Sequence, residues 1–138
     1  MLNKNILLLI FFLSFLSCKK SENSTVTITS KVWKPSLTDA NTASNPSTNV
    51  QYHPFLNCEQ DDTYQFGTNG KLTINHGAIK CEGEEAIKIV DYFYNRDTKE
   101  LTIDNIKFKV AEESKIQLKY YSVLPEISGY SYLVFIFN

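Results

Sequence analysis

The chain of 138 residues is poor in the side chains and patterns from which most active sites are built. It has two histidines, three cysteines and five glycines, and contains neither Gly-x-Ser-x-Gly nor a glycine-rich phosphate loop. A nucleophile elbow and a nucleotide cradle are therefore excluded. Cysteines two to four residues apart, as a zinc knuckle needs, are missing, and neither a metal nor a cofactor is expected. Positive charge is not in excess either: 14 Lys plus Arg face 15 Asp plus Glu, with the signs interspersed. Lys107, Lys109, Lys115 and Lys119 read as the solvated side of strands rather than as a basic stripe, so nucleic acid is not an expected partner. After Cys18 no amphipathic pattern of ten or more residues indicates a helix.

The front of the chain carries a different signal. "MLNKNILLLIFFLSFLSCKK" has a basic start with Lys4 and an apolar run from Ile6 to Leu13, extended by Phe15 and Leu16 and closed by Ser17-Cys18. About eleven apolar residues are too few to cross a bilayer comfortably, and they match the length of a signal-peptide core. Leu16-Ser17-Cys18 resembles the end of a bacterial lipoprotein signal. That resemblance implies removal of residues 1–17, acylation of Cys18 and membrane attachment through the lipid, in which each buried methylene contributes about 0.8 kcal/mol. Lys19, rather than aspartate, follows the cysteine, which by the same resemblance favours the outer membrane. Residues 18–30 are polar and read as a flexible tether.

What remains, residues 31–138, is the size of one domain with an ordinary core. Losing Lys4 leaves a net charge near −2. Eight Tyr, one Trp and six Phe outside the signal suit a β-rich domain. Apolar and polar residues alternate in "TYQF" and again in "KLTIN", with "GTNG" between them as a tight turn. The pattern returns in "AIKIVDYFYNRDTKELTIDN", in "IKFKV" and "KIQLKYY" joined by residues 111–114, and in the final "YSYLVFIFN", which is apolar on both faces. Ile106, Phe108 and Val110 are expected to share a face with Ile116, Leu118 and Tyr120. "TSKVWKP" and "TNVQYHPF" supply two earlier strands around a Ser/Thr/Asn-rich loop over residues 36–49. The expected fold class is all-β: a small up-and-down barrel of about eight antiparallel strands in meander topology.

Residues 53–83 gather both histidines, two cysteines and the Asp61-Asp62 pair. Zinc, a Cys-His nucleophile and a disulfide all draw on this inventory. Export to an oxidising compartment favours the disulfide. The hairpin between Cys58 and Cys81 brings its two ends together, and closing a loop of about 24 residues is worth about 3.5 kcal/mol. The frame formed by Cys58, Asp61-Asp62, Phe66, Gly70, Gly77 and Cys81 resembles the signature hairpin of small lipocalin-like domains of bacterial lipoproteins. The resemblance implies a Cys58–Cys81 bridge, Phe66 in the core, glycine turns, and a cup for a small hydrophobic ligand; it gives the Asp pair no role.

The expected function is thus a membrane-anchored, non-catalytic binding module for a small hydrophobic ligand. Trp33, Phe66, Leu72, Ile74, Phe93, Phe108, Leu118 and Phe135 are the inward candidates for pocket or core. The alternative is a solid barrel that acts through its surface as an envelope accessory protein. An enzymatic role for His53 or His76 requires one of them to line a pocket beside a carboxylate.

Overall fold

The computed structural model describes residues 27–138, so the expected signal segment, Cys18 and most of the expected tether lie outside the described residues. Eight strands form one sheet: β1 (Val50–Tyr52), β2 (Thr63–Phe66), β3 (Lys71–Asn75), β4 (Ile87–Asn95), β5 (Glu100–Ile103), β6 (Ile106–Glu113), β7 (Leu118–Val123) and β8 (Tyr132–Phe137). Two single 3-10 turns, Thr42–Ser44 and Glu126–Ser128, are the only helical pieces among the described residues. The sheet order is β1-β8-β7-β6-β5-β4-β3-β2, and every consecutive pair from β2 to β8 is antiparallel.

The expectation of a closed, wholly antiparallel barrel is corrected in two respects. β1 pairs parallel with β8, and the ladder does not close between β1 and β2. The stretch expected to be the first strand makes only two isolated bridges, Trp33 to Tyr64 and Pro35 to Phe137. Pro35 has no N–H to donate, so a continuous ladder cannot run through it. This short segment still lies between the sheet's two sides, through the Trp33–Tyr64 backbone pair and the N–H of Ser36 to the Ile136 carbonyl.

Local chemistry explains the turns. Asp104 and Asn105 both adopt positive φ (49° and 67°) and join β5 to β6 with Ile103 opposite Ile106. A two-residue hairpin of this hand suits the strand twist, and Asp and Asn tolerate it. Gly70, at φ 76°, closes the β2–β3 turn. A bulge at Ala111 shifts the register between Val110 and Glu112, so residues 111–113 belong to β6 and the turn falls at 114–117. The bulge also exchanges faces: Glu113 comes to stand opposite Leu118, and Glu112 opposite Lys119. Ile116, expected inward, is 65% exposed in that turn.

The inner face packs Ile28, Trp33, Phe55, Phe66, Leu72, Leu101, Val110, Leu118, Tyr120 and Phe137, with Ile74, Phe108 and Phe135 against them. Trp33, Leu101 and Leu118 are 0% exposed. A meander places its turns alternately at two ends. Turns 96–99 and 114–117 share one end and loops 76–86 and 124–131 the other, whereas turns 67–70 and 104–105 flank the middle of β4, where the Tyr92 N–H donates to the Gly70 carbonyl and the Asp104 N–H to the Asp91 carbonyl. The described chain enters at the first end, where the Ile28 N–H donates to Glu113 Oε1 at 2.6 Å.

Candidate functional site: a clasped hairpin, a buried lysine and an outer cleft

Cys58 and Cys81 are disulfide-bonded, with Cα atoms 5.1 Å apart, inside the range the bond requires. The loop that carries Cys81 is fixed by the Asp pair. Asp62, buried, accepts from the Gly77 N–H at 3.1 Å and meets His76 Nδ1 at 2.8 Å. Asp61 accepts from the N–H groups of Ala78 (2.7 Å) and Ile79 (3.3 Å). A β-carbon at residue 77 would collide with the Asp61 carboxyl group, which is why glycine stands there. Neighbouring residues 61 and 62 thus act separately: one caps the loop, the other holds the histidine.

Of the two histidines, His76 meets the geometric condition set for an acid or base. Its Nδ1 faces Asp62 and lies 3.5 Å from Glu84 Oε2, and the ring borders an open cleft of about 330 Å³ with Gly83, Glu84, Glu85 and Lys88. A carboxylate on Nδ1 orients the ring and leaves Nε2 as the reactive nitrogen. The backbone N–H groups of Gly77, Ala78 and Ile79 are committed to the Asp pair. His53 is part of the packing: it stacks on Phe135 (4.6 Å between centroids) and meets Phe55 edge-on (4.7 Å). Burial lowers its pKa, partly offset by Glu59. No group of three or more potential metal ligands occurs among the described residues.

Sequence reading missed a buried ionic cluster. Lys119, expected at the solvated surface, is 0% exposed. Its outward-pointing side chain lies under loop 37–48, where Nζ has both Asp39 oxygens (2.8 and 2.9 Å), the Asn41 carbonyl (2.7 Å), Ser44 Oγ (2.9 Å) and Asn45 Oδ1 (2.9 Å) around it. Gln117 joins the cluster by accepting from the Ala40 N–H and donating to Asp39 and Glu112. Burial acts to raise the Asp39 pKa, but hydrogen bonds from Lys119, the Asn41 N–H, Tyr52 and Gln117 outweigh it and hold the carboxyl at about 2. On the same outer side of β8, Val134 and Ile136 are buried opposite Phe135 and Phe137, and Ile136 stands across the β7–β8 pair from Lys119. The only signal in the sequence was the Asp/Asn/Ser content of the loop, which supplies oxygen ligands for an ammonium group.

Among the inward candidates, Trp33, Phe66, Leu72 and Leu118 are in the core, with Ile74, Phe108 and Phe135 packed against it. Phe93 is corrected: at 67% exposure it points outward. In β4 the inner positions are Val90, Tyr92 and Tyr94, and strand alternation puts Phe93 on the other face. There it borders a cleft of about 390 Å³ with Thr102, Lys107, Tyr121 and Val123. Comparison of the chain with protein-family models, curated proteins and solved structures gives no match.

Proposed function

We propose that the chain is a lipid-tethered, non-catalytic accessory module of a bacterial cell envelope that acts through the outer surface of its sheet. The observation that carries this reading is the filled inner face. Trp33, Leu72, Leu101, Leu118 and Phe137 are at most 1% exposed, and none of them lines any of four clefts at the surface. A sheet that packs its own interior leaves its outer side chains to meet other molecules, and Ile87, Ile89 and Phe93 of β4 are exposed there. The signal-like run ending in Leu16-Ser17-Cys18 supports the tether, and Lys19 supports the outer membrane. The meander and the disulfide hairpin support kinship with lipocalin-like lipoprotein domains, whereas the parallel β1 departs from them.

The test is native mass spectrometry of the purified protein together with titration by a fluorescent fatty acid. The expected result is a protein free of small ligand and without saturable binding; a stoichiometric ligand released on unfolding would restore an interior carrier. The outer cleft favours a second reading, in which a small hydrophobic ligand binds outside the core. Its volume of about 390 Å³ lies in the range of small-molecule sites. In that case the fatty acid binds saturably, and Phe93→Ser abolishes the binding while leaving the fold intact.

A further inference from the structure

We propose that the end of the sheet where the described chain enters docks on an anionic lipid bilayer and directs the opposite end away from the membrane. The inference rests on the lipid tether at Cys18. Charge is divided between the two ends. Setting aside the paired Arg96–Glu113 and Lys88–Asp104, the entry segment and its turns carry Lys31, Lys99 and Lys115 against Asp97, whereas the opposite loops carry Glu82, Glu84, Glu85 and Glu126 against Lys80. Glu113 also lies at the entry end, but it is buried and engaged by Arg96, Tyr94 and the Ile28 N–H. Lys99 and Lys115 are exposed, and neither has an ion-pair partner among the described residues. Lys31 lies over the Trp33 ring, 4.7 Å from its centroid.

Chain length limits how far the entry end can stand from the bilayer, and the division of charge decides which end faces it. The nine steps from Cys18 to Thr27 reach at most about 30 Å even when fully extended. β4 alone separates the two ends by about 30 Å. The field of anionic headgroups decays over about 8–10 Å, so the basic end sits where the field acts and the acidic end is repelled from it. Lys19 and Lys20 against Glu22 add the same sign beside the anchor. Docked in this way, the domain presents Ile79, Val123 and Ile127, all exposed on or beside the far loops, away from the membrane.

The experiment uses the mature chain from residue 18 with Cys18→Ser, disulfide formed, sedimented with vesicles of phosphatidylcholine alone or with about one third phosphatidylglycerol. The expected result is binding to the anionic vesicles only, weakened by salt, and reduced about fivefold by each of Lys99→Gln and Lys115→Gln but not by Lys80→Gln. All three positions are exposed, and matching circular dichroism spectra establish that the variants fold. Equal binding to both vesicle types, no binding to either, or an equal loss from Lys80→Gln overturns the proposal. The intact mass of the natively expressed protein checks the tether separately. An unacylated Cys18 removes the tether reading, and the unlipidated chain still decides the docking surface.

Discussion

Lys119 shows how much a single residue can hold in place. An ammonium group removed from water is tolerated because the loop wraps it in oxygens, with Asp39 supplying the opposing charge. Lys119→Ala leaves Asp39 without its cation and is expected to lower the unfolding free energy in urea by about 3–5 kcal/mol. Acid reads the same cluster. The folded pKa of Asp39 is depressed from 3.8 to about 2, so its contribution is complete above the unfolded value and disappears as pH falls from about 4 to 2. The loss, about 2 kcal/mol, should vanish in Asp39→Asn when stability is followed across that range. His53 works in the same direction at higher pH. Burial lowers its folded pKa, so protons bind the unfolded chain more readily and stability falls as pH drops through 6.5. His53→Phe retains the stack on Phe135 and should remove that slope; an unchanged slope would assign the proton elsewhere.

At the scale of elements, the β2–β3 hairpin is closed twice, covalently by Cys58–Cys81 and non-covalently by the Asp pair on the loop that follows β3. The double variant Cys58→Ser/Cys81→Ser is expected to lose about 3 kcal/mol, close to the chain-entropy value for a loop of this length. Gly77→Ala forces a methyl group against the Asp61 carboxyl group and should cost about 1–3 kcal/mol. Asp61→Ala makes room for that methyl group, so a double-mutant cycle should find the pair less damaging than the sum of its parts. Additive losses would mean that residue 77 needs glycine for another reason. The bulge in β6 acts at this scale as well: by turning Glu113 toward the entry segment, it gives Arg96, Tyr94 and Ile28 a common acceptor.

Across the described residues, the inner face is filled and the outer face is uneven, covered at Lys119 of β7 by loop 37–48 and bare over β4. Two apolar side chains can report the difference. Leu118→Ala opens a void in a packed interior and should cost about 2–5 kcal/mol, whereas Phe93→Ser should stay within about 0.5 kcal/mol of the parent. Thermal or urea unfolding of the two variants measures both. A large effect at Phe93 would place that side chain in the core after all.

Alternation along the strands, the turn at GTNG, and two cysteines at the ends of one hairpin were enough to give the β class, the meander from β2 to β8 and the disulfide, because each depends on neighbours close in sequence. Strand parity failed where a local irregularity or a distant segment intervened. A bulge at Ala111 reset the faces of β6, and Phe93 went outward because the core took Tyr92 and Tyr94 from its strand. Lys119 lies beneath a loop some 75 residues away, and its place inside was decided by that cover. The sheet's missing closure and the parallel β1 were likewise tertiary outcomes, since pairing between distant strands depends on which edges the loops deliver to one another. The Asp61-Asp62 pair drew its meaning from the fold alone: only when β3 returns beside β2 do two adjacent carboxylates find the separate donors that they hold.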